Sequence, residues 1–101
     1  MGRGPRKKPL RLAAKLKLIR KSLGLSQGGI LIKLKSQDQN LSTSSISGYE
    51  LGDREPPLLV LYTYANLANV YMEVLVDDAL DLPEIIPSDE KSFGKRNRKQ
   101  S

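Results

Sequence analysis

The sequence has no cysteine and no histidine. The first absence removes disulfide frameworks and thiolate zinc sites. The second removes the commonest general base and the commonest metal ligand. Together they point away from an enzyme and away from a resident cofactor or metal, with carboxylate chemistry the catalytic route left open. Tryptophan is absent too, and the single phenylalanine lies in the C-terminal segment. Nothing approaches the run of roughly 20 apolar residues that spans a bilayer. The basic N-terminus lacks the apolar stretch and cleavage site of a secretory signal. The expected location is cytoplasmic.

What is present is charge, and it is sorted. The 101 residues carry a net charge of +6 and are 39% hydrophobic. That suits one small helical core with tails. Residues 1–37 hold eleven Lys/Arg and no acid; residues 38–90 hold one base, Arg54, and all eleven acids; residues 91–101 add five bases. The basic part suits a polyanion. The plainer reading is solubility plus attraction between oppositely charged faces.

MGRGPRKKP (1–9) reads as a basic arm with nothing to pack, disordered without a partner. From there a helical period runs through Leu12, Leu16, Ile19 and Leu23, widened by Leu10 and Ala13. This predicts a helix over 10–23 that stops at Gly24. Lys15, Lys17, Arg20 and Lys21 fall off the stripe and are expected in solvent. Ser26 reads as the N-cap of a short helix over 27–35, with Ile30, Leu31 and Leu34 inward. Gly28 and Gly29 weaken it by roughly 1 kcal/mol each relative to Ala. KSQDQN (35–40) is a polar turn in which Asn40 is a candidate for left-handed backbone.

The next stretch, LSTSSISGYELGDREPP (41–57), has the composition of a linker but the punctuation of a helix. Ser42 is placed to cap it, Leu41 to staple onto Ile46, and Gly52 to end it. Ile46 and Tyr49 share the inward face. Residues 57–69 form an apolar fourth helix with Leu58, Leu61, Tyr62, Ala65 and Ala68 or Asn69 on its stripe, and 72–76 a last helical turn or two. Residues 77–87 are acidic, and 88–101 read as a disordered basic tail.

In order and spacing these motifs resemble the Cro/phage-repressor type of helix-turn-helix, the xenobiotic-response-element-like (XRE) regulators. LRLAAKLKLIRKSLGLSQ (10–27), LSTSSISGYELGDREPP (41–57), LLVLYTYANLANV (58–70) and YMEVLV (71–76) carry the resemblance. The family's run is an apolar residue, Ser, three variable residues, Ile, Ser, two residues, Glu, one residue, Gly. Leu41, Ser42, Ile46, Glu50 and Gly52 stand at its fixed places, with Ser47 as the second serine and Tyr49 before the Glu. Arg54 and Pro56 match the basic, Pro-containing turn that follows. The chain departs from the pattern in a longer turn at 35–40, in Leu31 where a small Ala is usual, and in Gly28 and Gly29.

The resemblance implies an all-α, compact five-helix lambda-repressor-like domain over 10–76, flanked by the arm 1–9 and the segment 77–101. It implies double-stranded DNA as partner and a transcriptional regulator, a repressor by first choice, acting at the nucleoid. In such domains the second helix of the pair enters the major groove with its N-terminal residues toward base edges. The base-contacting candidates are then Gln27, Thr43, Ser44, Ser47 and Gly48. Hydroxyls hydrogen-bond either way, and the Thr methyl can touch a thymine methyl. Arg3, Arg6, Lys7, Lys8, Lys35 and Arg54 are the phosphate candidates, and the long turn offers a reach to DNA through Lys35, Gln37 or Gln39. The same residues have a plain reading as solvated helix positions. Glu50 is taken as structural, pairing with Arg54 or capping backbone.

Family members commonly act as dimers on half-sites about 34 Å apart. The fifth helix with Leu80, Leu82, Ile85 and Ile86 is the expected homodimer surface. Asp77, Asp78, Asp81 and Glu84 lack the EF-hand spacing of a calcium loop. They suit an acidic flank that folds back on the basic arm. The alternative from another class is a protein-binding adaptor, or an antitoxin-type module, that uses 77–90 for a protein partner and has only unspecific nucleic-acid affinity. RNA recognition would call for exposed aromatic platforms that the chain lacks.

Overall fold

The computed structural model describes residues 8–35 and 39–96. Among these the chain forms α1 (Leu12–Ser22), α2 (Gln27–Leu34), α3 (Thr43–Leu51), α4 (Leu58–Ala68) and α5 (Met72–Val76). Two short strands follow, β1 (Leu80–Asp81) and β2 (Lys95–Arg96), paired antiparallel with Leu80 opposite Arg96. The domain is mostly helical, with this one small ribbon. No helix among the described residues is long and apolar enough to cross a membrane.

α1 forms where its period demands. Leu12, Leu16 and Ile19 are buried, and left-handed Gly24 (φ 72°) closes the turn after it. Leu10, expected to widen the stripe, is exposed instead, because the helix starts after it. The start of α1 is capped from far along the chain. The Asp78 carboxylate accepts the Leu10 and Arg11 backbone N–H groups at 2.9 and 3.0 Å. The Arg11 guanidinium adds bonds to the Asp78 carbonyl and the Asp81 carboxylate. The acidic segment thus folds back on Leu10 and Arg11, just after the arm; residues 1–7 of the arm lie outside the described residues.

Lys15 overturns its expected place in solvent. It is only 4% exposed, and its ammonium donates to the carbonyls of Val74 (2.7 Å) and Asp77 (3.0 Å). Those carbonyls belong to the end of α5, where cations are favoured. Burial, then Arg11, lowers the Lys15 pKa against the opposing pull of the nearby aspartates.

In α4, Val60, Leu61, Tyr64, Ala65 and Ala68 turn inward. Leu58 and Tyr62, expected on that stripe, face outward. The left-handed non-glycine residue among those described is Asn69 (φ 57°), which ends α4, and not Asn40.

The segment after α5 also differs from expectation. Leu82 is buried, and Leu80 and Ile86 pack on the core; only Ile85 of the four supposed homodimer residues stays exposed. Residues 88–96, expected to be disordered, are docked. Ser88 N donates to Ala68 O, Tyr71 N to Ser92 O and Ser92 N to Asn69 O, at 2.9–3.1 Å. The Phe93 ring stacks on Tyr71 at 4.0 Å between centroids, with the Lys91 ammonium 4.7 Å from the Tyr71 ring centre. Gly94 (φ 72°) lets the strand pass so close to β1 that a methyl group there would strike the Asp81 carbonyl. One aromatic pair and a few backbone bonds thus anchor a segment whose composition is polar. Residues 97–101 lie outside the described part, so the expectation for them stands untouched.

Candidate nucleic-acid interface

α3 carries four of the five base-contacting candidates, and its sequence builds it locally. The Ser42 hydroxyl accepts from Ser45 N (3.4 Å), and the Ser45 hydroxyl accepts from Ser42 N (3.1 Å). This is a reciprocal capping box with serine in the place usually held by Glu or Gln. It draws Ser45 into the interior, so Ser45 is not one of the exposed hydroxyls. Ile46 and Tyr49 are buried, Leu41 is buried ahead of the cap, and left-handed Gly52 (φ 83°) ends the helix. Thr43 and Ser44 are left exposed on the leading turn, and Ser47 is half-buried one turn on.

Gly48 makes room for a neighbouring side chain. Asp53 N and Arg54 N both donate to the Gly48 carbonyl, at 2.9 and 3.2 Å. The Arg54 stem lies directly over Gly48, where an added Cβ would come within 3.0 Å of Arg54 Cδ. Gly48 is therefore a seat that lets Arg54 fold back along α3. Arg54 is itself exposed there.

The partner of Glu50 is Arg20, not Arg54. Glu50 and Gly48 are two residues apart, about 200° around the helix, so they face opposite sides. The Arg20 Nε and Nη2 donate to the two Glu50 oxygens at 2.6 and 2.9 Å, and Nη1 donates to Leu25 O at 3.0 Å. The side chains are 12% and 4% exposed. This bidentate pair ties α1, the turn before α2, and α3 together. Donating to the Glu50 carboxylate raises the Arg20 pKa. Burial pushes the Glu50 carboxyl up, but the hydrogen bonds from Arg20 and Gln27 outweigh it and hold it below its ordinary value of 4.5.

Gln27 joins the same network. Its Nε2 donates to Glu50 Oε1 at 3.3 Å, and it is half-buried at the first position of α2. Ser26 caps that helix by accepting from Gly29 N at 2.9 Å. The structure thus brings Gln27 beside α3 through Glu50. Lys35 stands exposed just after α2, and Gln39 is exposed beyond the turn. Gln37 lies outside the described residues, as do Arg3, Arg6 and Lys7. Lys8 is exposed, while Pro9, expected in a free arm, is half-buried in a groove with Leu12.

The acids of the C-terminal half are largely engaged elsewhere. Asp78 caps α1, Asp81 pairs with Arg11, and Glu84 pairs with Lys95 at 3.1 Å. Asp77 Oδ1 accepts from Ala79 N at 2.9 Å. Among the described residues no group of acids is arranged to hold a metal ion. Arg20 and Lys15 are the structural residues that pattern reading misplaced. No local signal marks either, since both partners lie thirty or more positions away.

Comparison with family models, with curated proteins and with solved structures finds no match to this chain.

Proposed function

We propose that the protein binds double-stranded DNA with α3 in the major groove and regulates transcription as a lambda-repressor-like, XRE-type helix-turn-helix protein. The observation that carries this reading is the construction of α3. A capping box and a buried Ile46/Tyr49 face hold a helix whose leading turn offers Thr43 and Ser44 to solvent. Gln27 is held beside it by Glu50, and Arg54 is laid along it over Gly48. A side-chain set of small hydroxyls makes few bidentate base contacts, so discrimination is modest and phosphate contacts supply most of the affinity.

Lys8, Lys35 and Arg54 are the described phosphate ligands in this reading, with Arg3, Arg6 and Lys7 adding to them from the arm. The protein acts as a homodimer in the cytoplasm, on the nucleoid, and represses by occluding a promoter. The adaptor or antitoxin alternative loses support from one observation. Most of the apolar residues in 77–90 that it would offer a protein partner are packed on the chain's own core.

Salt tests the phosphate contacts. The duplex affinity is expected to fall linearly on a log–log plot against salt, with a slope of about −0.9 per phosphate neutralised. Removing residues 1–7, with Arg3, Arg6 and Lys7, should make that slope shallower by up to about 2.7 while the melting temperature holds. A salt-independent affinity in a fluorescence anisotropy titration would remove the phosphate model.

A further inference from the structure

Phe93 is the single phenylalanine of the chain, and it is 59% exposed. Its ring lies on Tyr71 at 4.0 Å between centroids, with 14° between the ring planes. One face of Phe93 is therefore covered, and its exposure comes from the other face and the edge. The backbone beneath the ring is fixed. Tyr71 N donates to Ser92 O at 2.9 Å and Ser92 N to Asn69 O at 3.1 Å. Gly94 N donates to the Ser92 hydroxyl at 2.8 Å. The ring is thus a flat apolar face placed in advance, with little left to order on binding. This corrects the expectation that the chain lacks an exposed aromatic platform.

Cations flank this platform. Lys91, Lys95 and Arg96 are exposed, and residues 91–96 contain no acid. The Lys91 ammonium lies 4.7 Å from the Tyr71 ring centre. Lys95 pairs with Glu84 at 3.1 Å, but the two side chains are 54% and 82% exposed. A pair so open to water holds weakly and yields to a phosphate. The nearest acids in sequence, Asp89 and Glu90, precede Lys91, on the other side of Phe93 from Lys95 and Arg96. A flat aromatic face beside cations is the combination that takes a base and its phosphates, because every base has a π face and the cations follow the backbone. An acidic peptide would use the cations and leave the ring face bare. A duplex would do the same, since its bases are stacked on one another.

We propose that the outer face of Phe93 stacks an unpaired base of a single-stranded nucleic acid, whose phosphates lie along Lys91, Lys95 and Arg96. The site is separate from α3. α3 packs on α1 and α2, whereas this segment is held by Asn69, Tyr71 and β1. The inference therefore stands or falls independently of α3 reading duplex DNA. One ring and three cations make a short site that tolerates any sequence. Its dissociation constant is on the order of 1–100 µM, the range of non-specific nucleic-acid binding. Single-stranded DNA and RNA share this chemistry, and the 2′-hydroxyl is what separates them.

The chain has no tryptophan, so Phe93→Trp in the full chain puts a unique indole at the site. A strand of about ten thymidylates, within the usual site size, should quench its emission saturably. An abasic strand of equal length, which keeps the phosphates, and a closed hairpin duplex should not. Oligouridylate titrated beside oligothymidylate distinguishes the source: the tighter of the two names RNA or single-stranded DNA. Phe93→Leu keeps an apolar side chain against Tyr71 but has no ring face. It should weaken oligothymidylate binding by about 5- to 100-fold in fluorescence anisotropy. Where Phe93→Leu undocks the segment, the quenching of Phe93→Trp still decides. No quenching by oligothymidylate, equal quenching by the abasic strand or the duplex, or an unchanged oligothymidylate affinity in Phe93→Leu overturns the inference.

Discussion

The Glu50→Ala variant is expected to lose about 3–5 kcal/mol of folding stability, the usual effect of removing one partner from a buried ion pair. That is a large part of the 5–15 kcal/mol that a small domain has in total. The loss arises because Arg20 stays 12% exposed with its charge unmatched, and because Gln27 loses its acceptor. The double variant Arg20→Met, Glu50→Leu should recover most of it, since an apolar pair of similar volume leaves no charge behind. Urea denaturation of the double variant and of its two single variants, Arg20→Met and Glu50→Leu, beside Glu50→Ala measures this. Near-additive losses would mean that the pair is not coupled as its 2.6 and 2.9 Å bonds imply.

The same residue sets a pH dependence. The Glu50 carboxyl is held below its ordinary 4.5 by Arg20 and Gln27 against the upward push of burial. The Asp78 carboxyl is held below 3.8 by the Leu10 amide first, with burial opposing and the Arg11 amide adding. A group whose folded pKa is depressed contributes stability above its unfolded pKa and loses it as pH falls through the folded pKa. Stability should therefore decline from about pH 4.5 downward, and less steeply in Glu50→Gln, which no longer titrates at that position.

Ser44→Glu should separate folding from function. Position 44 is the second residue of α3, so a carboxylate there meets the positive end of the helix and adds about 0.3–1 kcal/mol of stability. On DNA the same charge faces phosphates and base edges. The expected loss is about 1–3 kcal/mol, or roughly 10- to 100-fold in affinity. A raised melting temperature with a lowered duplex affinity is the signature of a reading helix. An adaptor would keep whatever affinity it has.

Sequence periodicity and capping were enough to place α1, α2 and α3. Leu12, Leu16 and Ile19 are spaced for one helical face and are buried there. Ser26, Ser42, Gly24 and Gly52 stop or start helices where their chemistry suggests. These signals work because each concerns a residue's own turn of chain. Three features were not legible, for a common reason. Lys15 follows the polar face of α1 by period, but carbonyls 59 and 62 positions away receive it. Glu50 has a basic neighbour in sequence at Arg54, but Gly48 diverts that arginine to the other side of α3. Residues 88–96 look like a solvated tail, yet one ring stacked on Tyr71 and a glycine at 94 dock them. The apolar residues of 77–87 read as surface, because nothing local shows that the core has room for Leu82. The candidate site was more legible than the core that supports it. Thr43 and Ser44 are exposed where expected, while the Arg54 stem laid over Gly48 has no sign in the local pattern.

Selection of the full chain against a random duplex library is the most direct test of the central claim, that α3 reads DNA for a paired protein. The account predicts recovery of an inverted repeat whose half-sites are centred one helical turn, about 34 Å, apart, with a short and tolerant consensus in each half. Recovered duplexes no richer in any motif than the starting library, bound no more tightly than random DNA, would contradict it.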